Sequence, residues 1–154
     1  AAAGFYKKSA LDDVAWTNVK GEKEYFDETI LYKNDSDLAY RLAWAGHQYL
    51  FVPASKVWHD RQASERSKKS AWTKQNSYLG QLVTLRKNWS DDFSWTVKLL
   101  THLRQAALWL YALVLDRALL QSRAEFQKFI PLIDQKRASM PRRIKAEEIE
   151  KLMS

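Results

Sequence analysis

The chain has 154 residues, no cysteine, a formal charge of +7, a hydrophobic fraction of 46% and seven tryptophans. That length supports one domain with a real core, the aromatic content argues against disorder, and the lack of thiols excludes a disulfide framework and thiolate chemistry. The positive balance points to an anionic partner: nucleic acid, a membrane surface or a phosphorylated substrate.

The chain opens "AAAGFYKKSALDDVA", with Ala rather than Met in front and no basic–apolar–small signal pattern. A strand is predicted near residues 2–6 and a short helix over 9–15, with Ser9 as its N-cap. This reads like the middle of a domain, and the chain as the C-terminal part of something longer. A polar loop containing Gly21 follows. In "YKNDSDLAYRLAWAG", residues 32–46, Leu38, Leu42 and Ala45 recur at i, i+4 and i+7, which predicts a helix with one face on a core. Asp35 or Ser36 can accept from the orphan amides of its first turn, and Gly46 suits the C′ position. The runs "QYLFVP", ended by Pro53, and "SKVWH" predict two extended pieces. Residues 62–74 read as a mobile polar, basic loop.

From there the pattern is helical. "SYLGQLVTLRKNW" brings Leu79, Leu82, Val83 and Leu85 near one face, and helical spacing continues through Leu99, Leu100, Leu103, Ala106, Ala107 and Leu110. The apolar run 106–115 is too short for a bilayer, which needs about twenty residues. It predicts either a buried helix or one lying in a membrane interface. The tail "QKRASMPRRIK" holds Lys136, Arg137, Arg142, Arg143 and Lys145 without an acid, a cluster able to attract anionic lipid at about 1 kcal/mol per residue near the surface. Two regions result: 1–64, mixed α/β, and 65–154, mainly helical, amphipathic and basic.

Chemistry concentrates in the first region. Asp35 and Asp37 stand at a helix mouth, and His59 follows the second extended piece. In an α/β layer such ends can converge on one rim, where a carboxylate and an imidazole form an acid/base pair or a divalent-metal site. Capping is the bland account of the two aspartates, and a surface position that of the histidine.

Residues 26–64, "FDETILYKNDSDLAYRLAWAGHQYLFVPASKVWHDRQAS", resemble the acceptor-side half of bacterial family-2 glycosyltransferases of the GT-A fold. The matching positions are Phe26, Asp27, Glu28, Asp35, Asp37, Leu38, Arg41, Gly46, Pro53, Val57, His59 and Ser64. The "RKN" at 86–88 and the basic amphipathic end are similar to members that build cell-surface polysaccharides. The resemblance implies an α/β fold: the C-terminal half of a GT-A, Rossmann-like domain, the nucleotide-binding half being absent, followed by a helical C-terminal region.

It further implies a hexosyl- or deoxyhexosyl-transferase that inverts its anomeric centre, with a nucleotide-sugar donor and a glycan or lipid-linked acceptor. Asp35 matches the general base that takes the proton of the acceptor hydroxyl. His59 matches a position that ligates a divalent metal, Mg or Mn, in some members. Asn34, standing where the family has Glu, would position acceptor. Asp37 is a further acceptor- or substrate-binding candidate that also suits capping or an i, i+4 pair with Arg41. Arg61 would bind substrate at a diphosphate oxygen, a solvated surface position being its bland account. Arg142, Arg143 and Lys145 would contact anions or a membrane, and a homodimer is an alternative use of the amphipathic helix. The expected location is cytoplasmic, peripheral at the inner membrane face. The family's Asp-x-Asp motif is not found, "LDD" at 11–13 lying too near the start. A second class of function is a non-catalytic membrane- or partner-binding module using the same helix and tail. Nucleic-acid binding rests on charge and scattered Trp alone, with no motif behind it.

Overall fold

The computed structural model describes residues 4–18, 20–58 and 70–153. In chain order these form helix α1 (Lys8–Asp13), strands β1 (Trp16–Thr17) and β2 (Lys23–Glu24), and helices α2 (Asn34–Trp44), α3 (Ala71–Asn88), α4 (Trp95–Val114), α5 (Leu119–Ser139) and α6 (Ala146–Met153).

The α/β expectation is overturned. The described residues are 61% helix and 3% strand, and their one sheet is a two-stranded antiparallel ribbon pairing Trp16 with Glu24 and Thr17 with Lys23. No Rossmann-like layer is present among them. The physical reason lies in the two apolar runs expected as strands. A strand needs a neighbour for its N–H and C=O groups, and a parallel pair needs a crossover connection as well. Residues 48–58 have no such neighbour and run without regular structure, with Leu50 87% and Trp58 100% exposed. Residues 4–6 likewise form no strand; residues 2 and 3 lie outside those described.

The helical expectations fare differently. α2 forms where the i, i+4, i+7 pattern lay: Leu38, Leu42 and Ala45 are buried with Val14 of the α1 end, and Gly46 has φ +85°. Its start is less ordinary. The N-cap is Lys33, in the left-handed region at φ +72°, and no side chain caps it. α3 begins at Ala71, inside the stretch expected as loop, because the Ser70 hydroxyl accepts from the Thr73 amide and caps it.

α3 and α5 form the most extensive helix pair. Val83 meets Ile133 and Ile30 in one apolar cluster, and Tyr78 and Leu82 meet Ala112 and Leu119 in another. A third cluster joins Trp16, Trp44, Phe93, Met140 and Ile149, so the ribbon, α2 and α6 share it. Residues from both sequence regions therefore meet in common cores. At Gly80 on α3 an added Cβ would lie 2.1 Å from the Tyr32 carbonyl oxygen. Glycine there lets α3 touch the segment that leads into α2.

α4 is held on one side only. Ala112 is its one fully buried residue, Val97 and Leu108 pack inward, and Leu99, Leu100, Leu103, Leu110 and Val114 stay exposed. Among the described residues no helix is long and apolar enough to cross a membrane.

Candidate functional site

The residues of the FDE…D-x-D-L…R pattern divide into a buried set and an exposed one. Asp37 and Arg41, one turn apart on α2, are both 0% exposed, and Arg41 Nε donates to Asp37 Oδ2 at 3.1 Å. The same guanidinium donates through Nη1 to the Val14 carbonyl at 2.6 Å and through Nη2 to the Tyr25 carbonyl. Burial lowers the Arg41 pKa and Asp37 opposes it; a guanidinium stays charged regardless.

Two lysines complete the set. Lys87 of α3, also 0% exposed, pairs with Asp27 and lies 2.8 Å from Asp37 Oδ1. Lys136 of α5 reaches Asp27 at 2.9 Å and Glu24 at 3.0 Å. The Trp16 ring stacks beneath all three cations, with Arg41 at 3.9 Å, Lys87 at 4.5 Å and Lys136 at 4.8 Å from its centroid. Glu24, Asp27 and Asp37 thus face Arg41, Lys87 and Lys136, a balance that desolvated charges require. Burial alone would raise the Asp27 carboxyl. The Lys87 ammonium and the Thr29 hydrogen bonds outweigh that and hold it well below the usual carboxylate range.

Asp35, expected as the base, is exposed at the start of α2, where its Oδ1 accepts from the Ser36 amide at 2.9 Å. The helix dipole favours its ionised form. Asn34 is half-buried, its Oδ1 lacking a protein partner. Asp37 is brought into the buried network rather than onto the surface beside Asp35. His59 and Arg61 lie outside the described residues. Among the described residues no three His, Asp or Glu side chains form a metal-ligand set. With His59 outside them, no step is derived through a metal.

The basic tail makes contacts inside the molecule. Arg143 grips Asp13 with Nη2 at 2.7 Å from Oδ1, and its amide donates to the Trp44 carbonyl at 2.8 Å. Arg142 stacks on the Trp44 ring at 4.4 Å and donates to the carbonyls of Trp89 at 3.1 Å and Lys87 at 2.9 Å. Lys145 is exposed. Of the "RKN" run, Arg86 makes a two-point pair with Asp134 at 2.8 Å, Lys87 is the buried cation, and Asn88 Nδ2 reaches Asp37 Oδ1 at 3.4 Å.

Sequence reasoning missed a cleft of ≈ 240 Å³ between α2, α3, the 89–93 turn and α4. Its polar wall is a stripe on α3, Gln81, Thr84 and Asn88, spaced i, i+3, i+7; Tyr40, Trp89 and Phe93 line it with aromatic rings. Lys33, two residues before Asp35, and Arg104 of α4 line it too. The polar stripe was visible in the sequence, but a helix stripe is a site only when something faces it. No family model, curated protein or solved structure matches the chain.

Proposed function

We propose that this chain is the acceptor-side part of an inverting glycosyltransferase that moves a sugar from a nucleotide-sugar donor to a glycan or lipid-linked acceptor, with Asp35 as general base. One observation supports this most: of the two aspartates in the D-x-D-L pattern, Asp37 is locked among buried cations and Asp35 is exposed at the helix start. A base must reach its substrate, and a carboxylate enclosed in the interior cannot. Asp37, Arg41, Asp27 and Lys87 hold α2 in place, and α2 carries Asp35.

In this reading Asp35 removes the acceptor hydroxyl proton as the oxygen attacks the anomeric carbon, and the nucleoside diphosphate departs from the opposite face. The divalent cation that the resemblance implies would offset charge on that leaving group. Asp35→Asn in the native gene product tests the role. Turnover with a nucleotide sugar is expected to fall about 10²–10⁴-fold, the usual contribution of a positioned base, while acceptor affinity stays. Equal turnover of the two proteins would remove Asp35 from the chemistry.

The exposed apolar face of α4 favours a second reading, a membrane- or partner-binding module without catalysis. It predicts that Asp35→Asn changes nothing while charges placed on α4 abolish function.

A further inference from the structure

We propose that the cleft between α3 and α4 is a saccharide-binding site, taking one sugar ring of the acceptor; that last assignment rests on the glycosyltransferase reading, the binding itself does not. Three side chains that line it each carry a buried polar atom without a protein partner: Gln81 Nε2, Thr84 Oγ1 and Asn88 Oδ1. Thr84 and Asn88 are 7% and 5% exposed, so these are unmet needs of the interior rather than surface groups. A buried polar atom left unmet costs about 1–3 kcal/mol, and a chain that keeps three on one helix stripe has a use for them.

What each unmet atom needs follows from what the rest of its side chain does. Arg104 Nη2 donates to Gln81 Oε1 at 3.3 Å, which leaves Nε2 as the unmet donor. Asn88 Nδ2 donates to the Thr84 carbonyl at 2.9 Å, which leaves Oδ1 as the unmet acceptor. The ligand must therefore accept from Gln81, donate to Asn88, and do either with Thr84. An ionised carboxylate or a phosphodiester only accepts; a hydroxyl does both. Neighbouring hydroxyls on a ring meet all three requirements, and the aromatic lining of Trp89, Phe93 and Tyr40 suits the C–H side of such a ring. At ≈ 240 Å³ the cleft lies below the roughly 300–1,000 Å³ of sites for larger small molecules, which matches a single ring. Small side-chain rotations on binding, common at recognition surfaces, turn the unmet atoms toward the ligand.

The site also touches the catalytic proposal. Lys33 lines the cleft and is the left-handed residue that opens α2. Asn88 carries a bond to Asp37 in the network beneath Asp35's helix.

The test uses the 154-residue chain and saturation-transfer NMR with three probes, the methyl glycosides of a hexose, a 6-deoxyhexose and an N-acetylhexosamine, with inorganic phosphate alongside. Transfer to ring protons of at least one glycoside is expected. Thr84→Val is nearly isosteric and removes an unmet hydroxyl, so its melting temperature should hold or rise while affinity falls about tenfold. Thr101 of α4 also lines the cleft, and Thr101→Phe, which fills it, should abolish transfer. No transfer to any of the three glycosides overturns the proposal, as does unchanged affinity in both variants. Phosphate binding without glycoside binding would instead make Lys33 and Arg104 the reason for the cleft, and the saccharide assignment would be wrong. The two readings separate in the native gene product. A Thr84→Val enzyme with raised acceptor KM and unchanged kcat supports both, and glycoside binding that Thr84→Val weakens, together with full activity of Asp35→Asn, leaves the cleft standing without the base.

Discussion

At Lys87 an ammonium sits with no solvent exposure between Asp27 and Asp37. Removing one partner of such a cluster leaves charge without compensation, which costs about 3–5 kcal/mol. Lys87→Met is expected to lose that much by urea titration. The double variant Asp27→Asn/Lys87→Met should lose clearly less than the two single losses added, because the partners act as a unit. The pair also sets a pH dependence. Asp27 is depressed in the folded state, so its stabilisation is complete above the unfolded carboxylate value near 3.9 and is lost as pH falls toward the folded value. The stability difference between wild type and Asp27→Asn should therefore be constant from pH 7 to about 5. Below about 4 it should shrink by roughly 1.4 kcal/mol per pH unit. A difference that grew on acidification would mean the Asp27 carboxyl is raised instead. The Asp37–Arg41 pair could be read from its i, i+4 spacing, and it is found. The rest of the network could not. Lys87 and Lys136 stand in basic helical runs that look solvated, and only α3 and α5 packing onto the ribbon reveals which two lysines lose their water.

Elements differ in how much of their fate their own residues decide. α2 was legible because its apolar spacing, its acidic start and Gly46 all agree. The turn at 115–118 was not, since "LDRA" contains neither Gly nor Pro; its place is set from outside, where Lys74 of α3 meets Asp116 at 2.7 Å and Gln75 donates to the Ala118 carbonyl at 2.9 Å. The segment 48–58 failed as strand for the reason that a ladder takes two partners. The cleft was illegible for the same cause: Gln81, Thr84 and Asn88 gain meaning only once α4 stands opposite. Contact between elements also decides a prediction at Gly80. A methyl group there would meet the Tyr32 carbonyl oxygen at 2.1 Å, and since the methyl is fixed to its Cα and the oxygen belongs to the backbone, neither side can rotate away. Gly80→Ala is expected to cost about 1–3 kcal/mol and to displace the entry to α2. Calorimetry reads the first effect, and a drop in turnover beyond the stability loss reads the second.

Over the whole molecule, the buried network holds three carboxylates against three cations, so the net charge of +7 belongs to the rest of the chain. The tail does not supply a ready basic patch, since Arg142 and Arg143 are occupied by Trp44 and Asp13. Reversing their charges would break packing and could not isolate a surface role. What the molecule does offer outward is α4, with Leu99, Leu103, Leu110 and Val114 on the side away from α3 and α5. Attraction from scattered cations is screened within about 8 Å at physiological salt, whereas apolar burial is not. If α4 lies in a membrane interface, co-sedimentation with vesicles containing anionic lipid should survive high salt in large part. It should vanish in Leu103→Glu/Leu110→Glu. Both leucines are exposed, so melting temperature should stay within the small change expected of surface substitutions. A wild-type chain that ignores vesicles and runs as a dimer, split by the same two substitutions, would assign that face to a second copy instead. Binding that disappears at high salt and persists in the double variant would return the interaction to the cations, and α4 would need another explanation.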